Sequence, residues 1–162
     1  MTRARAAFGS LVFLLVAPGV VAALGPWLVT GWEVRTPLQG WVVLRVFGAL
    51  LLAAGAGVLL YAFARFVLEG LGTPAPVAPT ERLVVGGLYR YVRNPMYLAV
   101  AATIVGQALL LGQLVLLLYA AGFLALVAAF VRWYEEPTLS RRFGPEYDDY
   151  RRRVPGWWPR RR

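Results

Sequence analysis

The chain has 162 residues, 59% of them hydrophobic, and carries a formal charge of +9, with a mean hydropathy of +0.60. Soluble chains run at about 45–50% apolar content, so this composition points to a membrane domain, and the length to a single one spanning residues 1–162. Cysteine and histidine are both absent, which excludes disulfides, thiolate or imidazole metal sites, histidine general bases and a Ser-His-Asp triad.

The first apolar block runs from about Ala6 to Val29 behind Arg3 and Arg5. A signal peptide with Val21-Ala22-Ala23 near its cleavage site is one reading. The block continues through Trp27 and Leu28, however, long enough for a retained helix across about 30 Å of hydrocarbon. Pro18 and Gly19 predict a kink in it, and Trp27 and Trp32 suit the far interface. After a short connection containing Pro37, a second helix is expected from Trp41 to about Leu68, with Arg45 snorkelling from its first turn. Gly48, Gly55 and Gly57 offer close helix approach there.

Residues 69–94 form the longest non-apolar interval. Its three prolines at 74, 76 and 79 exclude helix and central strand. The later Leu83, Val84, Val85, Leu88, Tyr89 and Tyr91 predict an ordered loop against the membrane. A third helix is expected over 95–111, with Pro95 in its first turn, and a fourth over 114–134. The Gly112-Gln113 turn between them predicts a tight antiparallel hairpin. The polar remainder, 135–162, holds five acids and eight arginines.

All basic residues are arginine. They flank the apolar spans, which is the positive-inside pattern and not a nucleic-acid surface. With four transmembrane helices, only Arg35 and Arg45 fall near one face; the other 15 of the 17 fall on the opposite face. This places both termini and the Pro-rich loop in the cytoplasm. The expectation is an all-α integral protein of a bacterial or archaeal cytoplasmic membrane, with a polar C-terminal helical segment at the cytoplasmic face.

Two polar segments exceed what anchoring requires. One, 86–97, leads into the third helix and contains Tyr89, Arg90, Arg93, Asn94, Pro95 and Tyr97. The other, 135–150, follows the fourth helix and contains Glu135, Glu136, Tyr147 and Tyr150. Both lie at the same membrane face, so they can meet. Glu135 and Glu136 at a helix C-terminus would oppose its macrodipole at a cost of about 0.3–1 kcal/mol. Compensation could come from ion pairs to Arg132, Arg141 or Arg142, or the carboxylates could bind ribose hydroxyls or an ammonium. The arginines could anchor among headgroups or hold a ligand carboxylate bidentately. The tyrosines could be interface residues or line a pocket for a flat base or a cation.

Together, Gly-x-Tyr-x-x-x-Arg-Asn-Pro-x-Tyr, an apolar helix pair, Glu-Glu-x-x-Leu-x-x-x-Phe-Gly-x-x-Tyr-x-x-Tyr and Val-Pro span Gly86 to Pro155. This pattern resembles the isoprenylcysteine carboxyl methyltransferase and phospholipid methyltransferase superfamily, membrane-embedded enzymes that use S-adenosylmethionine. The resemblance implies a cofactor site with Tyr89, Arg93, Asn94, Pro95 and Tyr97 on one wall. Glu135, Glu136, Tyr147 and Tyr150 would form the other. It implies roles in the reaction for Glu136, on the ribose hydroxyls or methionine amine, and for Arg153, on a substrate carboxylate just before Val-Pro. Many relatives carry Arg-His-Pro where this chain has Arg93-Asn94-Pro95, and asparagine does not titrate near neutral pH.

The implied function is methyl transfer to a lipophilic acceptor at the cytoplasmic membrane face, without a metal or a nucleic-acid partner. The acceptor is expected to be an isoprenylcysteine-like or other hydrophobic carboxylate. Alternatives are N-methylation of a phospholipid or other lipid amine, and a non-catalytic membrane protein whose arginines and aromatics are only anchors.

Overall fold

The computed structural model describes residues 3–69 and 82–159. The prolines at 74, 76 and 79, and the arginines at 160–162, lie outside them. The described residues are helical, with no strand among them. In chain order they form α1 (Arg3–Gly19), a π turn (Val20–Leu24), α2 (Gly25–Thr30), α3 (Val42–Glu69) and a 3-10 turn (Gly87–Arg90). Then come α4 (Pro95–Leu111), α5 (Val115–Phe130), a second π turn (Val131–Glu135), α6 (Glu136–Phe143) and α7 (Pro145–Arg153).

Three stretches, Leu11–Thr30, Val42–Arg65 and Val115–Phe143, are long and apolar enough to cross a membrane, each with a mean hydropathy of 2.2. Within an 18-residue apolar window of each, only 11%, 17% and 22% of residues are buried. Their apolar surfaces therefore face outward, where only lipid is a compatible solvent. α4 has 17 residues, or about 25 Å. It is the most buried of the long helices, with Ile104 and Ala108 fully enclosed.

α4 packs chiefly on α3 and less on α5, so the expected pairing of the third and fourth helices is one part of a larger arrangement. Small residues explain the preference. A Cβ on Gly48 would lie 2.8 Å from the Gly106 carbonyl oxygen, and one on Gly106 would lie 2.6 Å from the Leu52 nitrogen. The two backbones thus touch directly, as small-residue seams allow in bilayers. Gly55 meets Thr103 and Ala99 in the same seam, but Gly57 faces open space. The remaining core joins Leu59 and Phe63 of α3 to Ala22, Val100, Ile104 and Leu116.

Both π turns end two residues before a proline, Pro26 and Pro137. Each proline lacks an N–H, and the extra residue moves the preceding donor one place back: Gly25 N–H reaches the Val20 carbonyl, and Glu136 N–H reaches that of Val131. In the first turn the carbonyls left over are taken by side chains. The Tyr119 hydroxyl donates to Val21 O at 2.9 Å, and Gln107 Nε2 donates to Ala22 O at 2.6 Å. Gln107 Oε1 in turn accepts from the Trp32 indole at 3.2 Å. α1 continues through Pro18 to Gly19, where a kink is expected from the sequence, and the π turn follows directly.

At this end of the bundle the 31–41 connection caps α4. Arg35 N–H donates to Leu111 O at 2.7 Å, and the Trp41 indole to Leu109 O at 2.8 Å. Gly112 ends α4 with φ +68, and a Cβ there would collide with the Arg35 carbonyl. Only glycine satisfies both demands.

Candidate functional site

At the opposite end, the turn before α4, the second π turn and the C-terminal segment converge. Glu135 and Glu136 are not at a helix C-terminus. The helix runs through the π turn into α6, so both glutamates are interior to it and meet no exposed carbonyl end. The extra residue of the π turn aims both glutamates inward: Glu136 is buried and Glu135 half-buried. π turns often occur at functional sites for this reason.

Arg93 is the hub. Its Nη1 donates to Glu136 Oε1 at 2.7 Å and to the Tyr147 hydroxyl at 3.0 Å, and its Nε donates to Val154 O at 2.9 Å. Its side chain is only 13% exposed. Arg151 reaches the other Glu136 oxygen at 3.3 Å. A carboxylate held between two guanidiniums is stable where a lone buried charge would not be.

The C-terminal segment is bound by its backbone. Arg93 N–H donates to Pro155 O at 2.9 Å and Asn94 N–H to Gly156 O at 3.2 Å. Around this seam the Tyr97 hydroxyl donates to Glu135 Oε2 at 3.0 Å, and the Tyr150 hydroxyl donates to Tyr89 O at 2.7 Å. The Trp157 ring lies 6.4 Å from that of Tyr97. Asn94 is 7% exposed, and its Nδ2 has no hydrogen-bond partner among the described residues.

Burial raises the pKa of Tyr89, Tyr147 and Tyr150 above the usual phenol value. For Tyr147 and Tyr150 the Arg93 charge pulls the other way without cancelling the burial. All three hydroxyls therefore remain protonated across the physiological range.

Every residue expected on the two walls lies in this cluster: Tyr89, Arg93, Asn94, Pro95 and Tyr97 from one segment, Glu135, Glu136, Tyr147 and Tyr150 from the other. Arg153 does not join it. It sits on the exposed side of α7, where its Nε donates to the Asp149 carbonyl. Helical geometry separates the two arginines: Tyr147, Tyr150, Arg151 and Val154 share the inward face. That i, i+3, i+4, i+7 spacing was the available signal for Arg151. Gly156 and Trp157 carried none beyond proximity to Val-Pro.

Beneath the polar cluster lies a cavity of about 290 Å³ between α1, α4 and α5. Its floor and sides are apolar, with Phe13, Phe63, Val100, Phe123 and Leu126 among the lining residues. Its upper wall is Tyr89, Asn94, Pro95 and Tyr97, the same residues that face the charged cluster.

A family model described as phospholipid methyltransferase matches residues 43–146, well over half of the 162-residue chain. The chain belongs to the phospholipid methyltransferase family. That family falls within the isoprenylcysteine carboxyl methyltransferase-like superfamily, which the paired motifs resemble. A curated relative, the nickel-cobalt-cadmium resistance protein NccN of Alcaligenes xylosoxydans xylosoxydans, is 38% identical over 81 residues. The match covers 50% of this chain and 38% of that protein. No solved structure matches the chain significantly.

Proposed function

We propose that the protein transfers a methyl group from S-adenosylmethionine to a lipophilic acceptor at the cytoplasmic face of the membrane. In this reading α4 is a fourth, short span and both termini are cytoplasmic. The observation that carries the proposal is a shared wall. Tyr89, Asn94, Pro95 and Tyr97 separate a charged, hydrogen-bonding cluster from an apolar cavity of about 290 Å³. A polar donor and a lipidic acceptor need such a boundary.

The residues present fit the cofactor, because the buried Asn94 amide has a donor without a partner among the described residues and such a group favours a ligand acceptor. When bound, S-adenosylmethionine supplies an activated methyl group that an acceptor attacks in line, the bonding pair leaving with sulfur. Alignment and exclusion of water provide most of the acceleration in such a displacement. Arg93, Asn94 and Glu135 would hold the polar ligand. Tyr89, Tyr97, Tyr147 and Tyr150 would shape the wall and keep water out. Glu136 acts through its ion pairs to Arg93 and Arg151.

A carboxylate acceptor needs no base, which suits a site without histidine. N-methylation of a lipid amine is the second reading, and Glu135 favours it. This half-buried carboxylate is bonded to the Tyr97 hydroxyl and could take an ammonium or its proton. The metal-resistance name belongs to NccN. Among the described residues here no three His, Cys, Asp or Glu side chains come together as ligands.

The test is transfer of labelled methyl from the cofactor into lipid extracts by the purified protein. A base-labile product that releases methanol identifies a carboxylate acceptor, and a base-stable one an amine. No labelled lipid product from any extract overturns the reading.

A further inference from the structure

Towards the end of the bundle opposite the polar cluster, a cleft of about 580 Å³ lies between α1, α3 and α4. Small residues leave it open: Gly19, Ala22 and Ala23 line one side and Ala56 the other. Leu15 and Leu60 also line it and are exposed, so the cleft opens towards the bilayer. Its few polar groups are already engaged. Gln107 bonds the Ala22 carbonyl and the Trp32 indole, and the Thr103 hydroxyl donates to Ala99 O. A water needs two to four polar partners and finds no free set here. Hydrocarbon, by contrast, regains the dispersion contacts that an empty cleft forfeits.

Above the cleft stands a cation without a counter-ion. Arg45 shares a stripe of α3 with the lining residues Leu52, Ala56 and Leu59; at about 100° per residue its direction falls within about 40° of each. Its side chain leans towards the start of α3, where the span meets the membrane surface. There Nη2 donates to Arg35 O at 2.9 Å and to Thr36 Oγ1 at 3.0 Å. Both acceptors are neutral, and no carboxylate pairs with Arg45 among the described residues. The neighbouring Arg35 and Glu33 pair with each other at 3.5 Å, which leaves the Arg45 charge over. The corner is continuous with the cleft, because Arg35 N–H also holds Leu111 O and Leu111 lines the cleft.

We propose that Arg45 and this cleft bind one anionic phospholipid, with an acyl chain in the cleft and the phosphate on the guanidinium. A guanidinium suits phosphate oxygens, and a zwitterionic head carries its own cation and compensates Arg45 less well. The site is separate from the one proposed for methyl transfer. Pro18 of α1 lines both this cleft and the 290 Å³ cavity, so a chain lodged here backs the helix that walls the other.

The experiment is native mass spectrometry of the full-length chain, stripped of lipid in a neutral detergent, with dioleoyl phosphatidylglycerol or dioleoyl phosphatidylcholine added back. Wild type is expected to hold one phosphatidylglycerol at least tenfold more tightly than phosphatidylcholine, and glycerol 3-phosphate, a head without chains, should not compete. Arg45→Gln, whose amide can still donate to Arg35 O, should lose the preference. Ala56→Phe fills the cleft without removing a hydrogen bond and should weaken both lipids about tenfold; an unchanged melting temperature in detergent shows that it folds. Equal affinity of wild type for the two lipids overturns the proposal, as does competition by glycerol 3-phosphate. Unchanged lipid binding in folded Ala56→Phe overturns the cleft as the seat of the chain, and a preference kept by Arg45→Gln overturns the guanidinium as the seat of the phosphate.

Discussion

Replacing Arg93 by methionine keeps most of the side chain's apolar length and removes its charge. The change strips three hydrogen bonds, to Glu136, the Tyr147 hydroxyl and the Val154 carbonyl. It leaves the Glu136 carboxylate, 9% exposed, with Arg151 alone at 3.3 Å. Arg151 is itself 44% exposed, so its attraction is screened by solvent and compensates poorly. Removing one partner of a buried pair costs about 3–5 kcal/mol, mostly from the charge left behind. The expected loss is about 3–5 kcal/mol, the backbone seam to Pro155 and Gly156 surviving because it does not use the side chain. Denaturant-driven unfolding in mixed micelles would measure it, followed by far-UV circular dichroism. Glu136→Gln alone should cost less, since the amide can still accept from Arg93. The double variant should cost less than the sum of the singles by about 1–3 kcal/mol, the coupling usual for contacting residues. A loss below about 1 kcal/mol for Arg93→Met, or strict additivity in the cycle, would refute the claim that Glu136 depends on Arg93.

Two further outcomes follow from the same structure. Gly106→Ala places a methyl 2.6 Å from the Leu52 backbone and should cost at least about 1–3 kcal/mol by overpacking. Gly57→Ala, in the same pair of helices but facing open space, should stabilise by about 0.5–1 kcal/mol; thermal unfolding of the two variants side by side checks the contrast. Folding stability should also fall in alkali. The raised pKa values of Tyr89, Tyr147 and Tyr150 mean that the unfolded chain loses these protons first. Stability is then level below the unfolded phenol value of about 10 and declines as pH rises above it. Tyr150→Phe should make that decline shallower, as read from unfolding midpoints across the alkaline range.

Much of this architecture can be read from apolar block length and from proline and glycine positions. Pro95 and Gly112 bracket α4 as their backbone preferences require, and the two polar segments meet because both lie at the same end of their helices. The helix through Glu135 to Phe143 was not legible in that way. Proline beside two acids resembles a helix end, and only a π turn, which has no sequence signature, carries the chain past it. Gly106 gives no signal, because glycine among alanines and leucines is uninformative until a facing backbone is known. Gln107 could have been noticed, as a lone polar residue within an apolar block that needs a partner; its partner, a carbonyl released near Pro26, could not. The backbone seam from Arg93-Asn94 to Pro155-Gly156 involves no side-chain pattern at all.

The second π turn also ties the site to how the helix is wound. One residue in a helix corresponds to a rotation of about 100°. Wound as regular α-helix with no residue removed, the stretch from Val131 to Glu135 would still leave the apolar span long enough for the bilayer. Everything from Glu136 onward would then be turned by more than a quarter of a circle, carrying Glu136 away from Arg93. The geometry of this cluster is a matter of phase, set by how one supernumerary residue is absorbed, and separable from the hydrophobicity of the span.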